Sequence, residues 1–590
     1  MHEPDQPVNS RDDGPSPTVA RRDGVAKDGQ PGGRLPRLTR LLATARESLL
    51  NAIIERFRHN LSEFLSDRQP LIWALGLGIG VAVGYAALAF RYMIGVVQLP
   101  WLGTMSERVV SATHAIGWWN VLLAPAVGGL IVGYLLQRFM PGQRAHAVAD
   151  VIESRALRDC KIDPKIGLLS SLLAAVSLGT GASAGREGPV VHLGATIASW
   201  LEDRFQLSPA NRRTLLASGV GAAVAASFNA PIAGVLFAHE VILSHYATRA
   251  FVPIVIASVS GGVISRLHLG NFPAFTIPDY AIMSYLEVPA FALLGVTCAL
   301  VTILFQFAIM STERIVWHFE MPLWMRTALG GLAVGAIALI FPQVLGVGYE
   351  TTDQALYRHL PLWLLLALIV AKTAATAISL AVRFAGGIFS PSLYLGAVTG
   401  AAYGVIATST FPEIGASHGL YALLGMGAVA ASVLGAPIST TLICFELTGG
   451  YELALALLLT VSISVGLTQA LLGQSFFHWQ LAKRGLFLQE GPHKSIMRRL
   501  VVASFMTEQM SAAEGAEAEP RRIASDDDEP WLLASDTLER ALRTFDRTGR
   551  ARIAVVSEAD QTLIIGWADR MLALNAFNKA LIDAHVEEHK

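Results

Sequence analysis

Gly185-Arg186-Glu187-Gly188-Pro189-Val190-Val191-His192-Leu193-Gly194 sets an arginine, a glutamate and a proline inside a part of the chain almost free of charge. Gly387-Ile388-Phe389-Ser390-Pro391-Ser392-Leu393-Tyr394-Leu395-Gly396 repeats its frame, G-x-x-x-P-x-x-x-L-G. Two further matches follow in the same order. GVGAAVAAS ending at Ser227 answers GMGAVAAS ending at Ser432, and Ala230-Pro231-Ile232 reaches Glu240 as Ala436-Pro437-Ile438 reaches Glu446. Three collinear matches imply a duplication. In each half a glycine-rich break, a proline and an apolar run read as a helix that begins inside the membrane. Proline near the first helical position has no donor to lose, and the remaining first-turn amides stay free. Those amides and the positive dipole end favour an anion. Two such N-termini, one per half, are expected to converge near mid-membrane.

Outward from these motifs, the 590 residues contain 45 Lys+Arg and 46 Asp+Glu, are 53% hydrophobic and only 15% charged. Mean hydropathy is +0.47. Soluble chains carry about 25% charged residues, so the composition is that of a protein of the lipid bilayer, and the balanced charge argues against nucleic acid as a partner. Cys160, Cys298 and Cys444 have no C-x-x-C spacing, which excludes a disulfide framework or a cysteine zinc site. Residues 1–37 read as a disordered tail without an apolar signal core, and 38–68 as an amphipathic helix on the membrane surface. Residues 69–488 form the membrane domain, 489–531 a linker and 532–590 a small folded tail. Runs such as Leu71 to Phe90, Thr214 to His239, Val288 to Thr312 and Ile414 to Phe445 are long enough to span a bilayer. Gly188 to Leu201, Phe251 to Ser265 and the segment from Phe384 read as interrupted helices. Seven arginines between Arg34 and Arg68, with Lys483, Arg484, Lys494, Arg498 and Arg499 after the last run, put both termini in the cytoplasm, at the plasma (inner) membrane.

Arg186-Glu187 at an intramembrane helix start is a functional candidate by default. The plainer alternative is a capping Glu187 paired with Arg186. A carboxylate at an anion-binding helix end is itself an anion. It can occupy the ion's place and leave when protonated or displaced.

GREGP at Gly185 to Pro189, GIFSP at Gly387 to Pro391, FNAPIAGVLFAHE and FELTGGY ending at Tyr451 resemble the CLC family of chloride channels and proton-coupled chloride transporters. The resemblance covers Leu71 to Leu488. It implies an all-α polytopic membrane protein, an inverted repeat of tilted, broken helices assembled as a homodimer with one ion path per subunit. It implies that Glu187 is the gating glutamate, that the Ile388 and Phe389 amides are anion ligands, with chloride the only ligand and no cofactor, and that Gly185, Arg186, Gly188, Pro189, Gly387 and Pro391 are motif residues. Tyr451 reads as an interfacial anchor. Three positions depart from the family pattern. His146 stands where a serine usually contacts the ion, either as a ligand or as a solvated loop histidine. Phe477 stands where a tyrosine hydroxyl is usual, unless a one-residue shift brings His478 there. Val241 stands where exchangers carry a proton-accepting glutamate. Glu240 is then either a displaced proton acceptor or, like Glu446, a helix-end group.

From Ala534 the tail reads as a helix, two strands (ARIAVVSE and LIIGWA) and a closing helix. It resembles the later part of a CBS domain, giving a small α/β cytoplasmic appendage, with Ala503 to Met510 as a relic of a preceding copy. Such modules work in pairs, so one partial copy argues against adenine nucleotide binding. Two other functions compete. Gly181-Ala182-Ser183-Ala184-Gly185 fits the G-x-S-x-G of serine hydrolases, but without the strand that should precede the serine. A carrier for a larger organic anion would need a roomy polar pocket. The expectation is a non-enzymatic, anion-selective path for chloride gated by Glu187, channel-like or weakly proton-coupled, with a coupled chloride/proton antiporter as the alternative.

Overall fold

A computed structural model describes residues 35–270, 275, 287–357, 359–410, 417–448, 452–487, 496–497, 500–508 and 530–589. The first 34 residues, Tyr451 and most of the 489–531 linker lie outside the described residues. The chain divides into two units, residues 1–69 and 70–590. In the first, the helix Leu35–Ser66 carries Leu50, Ile53, Ile54, Phe57, Leu61 and Leu65 exposed at three- and four-residue intervals, an uncovered apolar stripe.

In the second unit, seven described helices are long and apolar enough to cross a bilayer, among them Gln69–Leu102, Val288–His318 and Leu362–Ala381. Leu304, Phe307, Leu366, Val370, Leu455 and Leu471 stand exposed along such helices, as a hydrocarbon surround requires. Trp118, Trp119, Trp324 and Trp363 sit at helix starts, where indole rings favour the membrane interface.

The helix breaks differ from the sequence expectation in three places. Phe251 to Ser265 is part of one unbroken helix, Thr248–Leu269, with Pro253 inside it; membrane helices tolerate such a proline because neighbouring groups take up the freed carbonyl. Conversely, Thr214 to His239 is divided at Asn229, which has φ 59°, into Pro209–Phe228 and Pro231–Phe237, the latter continuing as a π turn, Ala238–Leu243. Ile414 to Phe445 is divided at Gly435, with φ 69°, into His418–Leu434 and Pro437–Thr448. In both halves a left-handed residue stops one helix and a proline two positions on starts the next. Apolar composition continues across the break, so hydropathy hides it.

The duplication is visible in packing. A Cβ added to Gly194 would strike the Gly219 carbonyl, and one on Gly219 the Gly194 carbonyl. Gly396 and Gly425 stand in the same mutual relation. The helix Glu187–Glu202 therefore lies on Pro209–Phe228 as Phe389–Thr410 lies on His418–Leu434, each crossing closed to the backbone by a glycine on both sides.

The tail holds a four-stranded sheet in the order β1-β4-β3-β2: β1 Thr507–Glu508, β2 Trp531–Leu533, β3 Arg552–Val556 and β4 Ile564–Asp569. β2 and β3 are parallel and joined through the helix Leu538–Thr548; the other pairs are antiparallel. Val502, Phe505, Leu532, Phe545, Ile553 and Val555 form its own core. The stretch read as a relic supplies β1, an edge strand of this sheet.

Candidate functional site

The two glycine-rich breaks brace one another. Gly185 N–H donates to the Gly387 carbonyl and Gly387 N–H to the Gly185 carbonyl, each at 2.6 Å. Hydroxyls reinforce the junction: Ser379 Oγ accepts from Ser183 N–H at 3.1 Å, and Ser177 Oγ from Ala385 N–H at 3.0 Å. This brings together the first turns of Glu187–Glu202 and Phe389–Thr410. In the second helix Ser392 N–H closes onto the Ile388 carbonyl, so the amides ahead of it have no partner within the helix. The Ile388 and Phe389 side chains are buried, and the Phe389 ring packs 5.0 Å from Phe228 and 5.9 Å from Phe237. Their backbone, and not their side chains, is what this junction can offer a ligand.

The Glu187 side chain, 1% exposed, lies across that N-terminus. The Tyr349 hydroxyl donates to Oε1 at 2.6 Å, and the Ser390 hydroxyl donates to Oε2. The carboxylate thus occupies a position where first-turn donors of the other half would meet an anion. Arg186 is not its main partner. The guanidinium bonds to Glu107, stands 3.8 Å from Glu187 Oε1 and covers the Tyr349 ring at 4.7 Å. Glu107 in turn pairs with Arg91 at 2.9 Å. Tyr349 and Glu107 went unnoticed in the sequence. The only local signal for Tyr349 was its place after Gly346 and Gly348, whose positive φ values mark the turn that starts the helix Tyr349–Leu356.

Two chambers approach this junction. One of about 700 Å³ is lined by Arg91, Glu107, Arg108, Arg186, Tyr349 and Glu350. The other, about 100 Å³, is lined by Arg144, His146, Pro189, Arg383, Gly386 and Arg484. Residues on either side of Glu187 in the GREGP motif therefore face different chambers.

His146 lines the smaller chamber, with its N–H on Ser170 Oγ at 3.1 Å and its ring edge-on to His192 at 5.5 Å. It lies half-buried in the loop that precedes the helix Val148–Leu157. Burial lowers its pKa from the ordinary value, against Asp150 and with help from Arg144 and Arg484. Burial works to raise the Asp150 pKa, yet hydrogen bonds and charge from Arg144 and the charge of Arg484 hold it well below the usual carboxylate range. At the second departure, Phe476 and Phe477 both pack in the apolar core, and of the two it is Phe476 that also lines the smaller chamber, beside Phe384 and Trp479. His478 bonds to Ser475 Oγ at 2.9 Å through Nδ1.

Glu240 has both oxygens engaged at the start of the Pro437–Thr448 helix, by Ile438 N–H at 3.0 Å, Ser439 N–H at 2.8 Å and Ser439 Oγ at 2.7 Å. Glu446 does the same for the Pro231–Phe237 helix, accepting from Ile232 N–H at 3.0 Å and Ala233 N–H at 2.7 Å. The matched spacing from proline to glutamate is a reciprocal pair of caps joining the halves. Ser183 Oγ, fully buried, meets the Thr376 hydroxyl at 3.1 Å, which supplies no base for a hydrolase.

Residues 128–469 match the family model described as voltage gated chloride channel. A ClcB-like chloride channel protein of Ralstonia nicotianae is 33% identical over 65% of this chain and 90% of its own length. A voltage-gated ClC-type chloride channel, ClcB, of Escherichia coli O127:H6 is 31% identical over 69% of this chain and 97% of its own. Among solved structures, a slow cyanobacterial Cl⁻/H⁺ antiporter superposes with a TM-score of 0.63 over 71% of this chain and 99% of its own, at 22% identity.

Proposed function

The chain belongs to the voltage-gated chloride channel (CLC) family, and we propose that it passes chloride through the Gly185–Gly387 junction, opened and closed by the Glu187 carboxylate. The observation that carries this reading is the position of Glu187. An acidic side chain held by two hydroxyls across a helix N-terminus is an internal stand-in for the transported anion. Protonation or displacement by chloride frees the site. The arginines of the smaller chamber, Arg144, Arg383 and Arg484, outnumber Asp150 and Glu313 there and raise local anion concentration.

Transport is channel-like or only weakly coupled to protons. Val241 has no ionisable group, and the Glu240 oxygens are committed to three donors, which leaves no proton acceptor at that point. His146 is the polar ligand facing the smaller chamber, and the Ile388 and Phe389 amides are the backbone ligands. The protein works as a homodimer with both termini cytoplasmic, and its tail, one partial CBS-like copy, makes no paired nucleotide site. Simultaneous recording of chloride and proton flux from liposomes tests the reading. Chloride flux with little proton movement is expected; uphill proton pumping at a fixed ratio to chloride would replace it with a coupled exchanger.

A further inference from the structure

A lysine lies fully buried in the middle of Leu362–Ala381, a membrane-spanning helix. Among the described residues Lys372 pairs with no carboxylate. Its Nζ donates to the Val344 and Gly346 carbonyls, each at 3.0 Å, and stands 4.9 Å from the centre of the Tyr394 ring. Backbone carbonyls are the weaker partners for a charge in hydrocarbon, and an ionisable group kept at that depth calls for a purpose.

The two carbonyls belong to the turn that delivers Tyr349. Gly346 N–H is tied to the Gly181 carbonyl at 3.3 Å, just ahead of the GREGP break. Gly348, at φ 89°, comes so close to the Tyr394 ring that a Cβ there would stand 2.6 Å from it and 3.4 Å from Lys372 Nζ. The next residue is Tyr349. The Lys372 Nζ thus ties down the 344–348 turn through two carbonyls, and the ring of Tyr394, from the anion-site helix Phe389–Thr410, packs against it at Gly348.

Resting on the assignment of Glu187 as the gate, we infer that Lys372 is a positioning residue: it holds the 344–348 turn so that the Tyr349 hydroxyl reaches Glu187 and keeps the gate shut. Lys372 touches neither the carboxylate nor the anion path. It acts through two carbonyls and one tyrosine. The ionisable and charged groups that face the latch are Arg186 on the GREGP segment itself, Glu107 on the loop beside it, Arg91 on Gln69–Leu102, and Tyr394 on Phe389–Thr410. Replacing Lys372 by an apolar residue also removes a cationic group, which by itself would favour protonation of Glu187; that effect persists without the Tyr349 hydroxyl, so it is the loss of the shift in Tyr349→Phe that reports on the turn.

The test compares Lys372→Met with wild type in liposomes, measuring chloride flux from about pH 4 to 8, and repeats it in Tyr349→Phe and Glu187→Gln backgrounds. With the clamp gone, half-activation is expected to move to higher pH by about 0.5–1 unit, a three- to tenfold loss of closed-state preference. The shift should vanish in both backgrounds, where there is no latch to position. Lys372→Arg, which keeps the donors, should restore most of the wild-type profile. Lys372→Gln, which keeps an NH2 donor on a shorter, uncharged side chain, stands in if the methionine variant does not elute as wild type. An unshifted profile, or flux lowered equally at every pH and in the Glu187→Gln background, overturns the inference and leaves a purely structural lysine. Wild-type liposomes that pass no chloride would remove the gate assignment instead, so the two failures are distinct.

Discussion

Removing one oxygen atom from Tyr349 should open the path without disturbing the fold. In Tyr349→Phe the ring stays under Arg186, 4.7 Å from the guanidinium carbon, and only the 2.6 Å bond to Glu187 Oε1 is lost. A hydrogen bond to a charged group contributes about 1.5–3 kcal/mol. The Ser390 hydroxyl still holds Oε2, which places the expected cost to the closed state at the lower half of that range, about 1.5–2 kcal/mol. That is a ten- to thirtyfold change in the closed-to-open balance, since about 1.4 kcal/mol is one decade. Chloride efflux from liposomes at neutral pH should rise accordingly, and the pH of half-activation should move up by roughly one unit or slightly more. Melting temperature in detergent should change little. Efflux unchanged at neutral pH, with an unshifted profile, would refute the latch. So would a fall in efflux, which would make Tyr349 an anion ligand.

The other predictions concern neighbouring groups. Glu187→Ala should pass chloride without the pH dependence of the gate, and Glu187→Gln should approach it because the amide competes less well for the helix donors; wild-type pH profiles for both would reduce Glu187 to a cap. Burial lowers the His146 pKa from its ordinary value, so the added donor and charge, and with them a tighter chloride affinity in the Glu187→Gln background, should set in on the acid side of the ordinary histidine range. The same titration with His146→Ser should be flat, and superimposed curves would make His146 a bystander. Glu240→Gln should leave chloride flux and proton coupling as they are and lower thermal stability, since the carboxylate that caps Ile438 and Ser439 becomes a neutral amide; altered proton coupling there would count against the capping role.

How far the sequence carried depended on whether the contact was local. The GREGP and GIFSP breaks, Glu187 at a helix start and the duplication are all written in short segments, and the paired spacing from Pro231 to Glu240 and Pro437 to Glu446 already favoured a helix-end role. Partners that fold back from elsewhere were not legible. Tyr349 reaches Glu187 across 162 positions, and Glu107 reaches Arg186 across 79. Nothing in a tyrosine after two glycines, or a glutamate in a short connection, names its target. Hydropathy also misled where backbone geometry decides: Asn229 and Gly435 break runs that remain apolar throughout, while Pro253 does not break one. At the smaller chamber the family spacing points to Phe477, but the turn of the Phe476–Ala482 helix presents Phe476 to the chamber.

Selectivity for anions is the claim on which the rest depends, and ion efflux from liposomes loaded with potassium chloride measures it directly. With no other charge carrier present, a purely anion-selective path stalls as voltage builds, and adding a potassium ionophore releases it. Chloride efflux is therefore predicted to be small without the ionophore and rapid with it, in protein liposomes and not in empty ones. Potassium leaving before the ionophore is added, or chloride staying inside after it, would contradict the account.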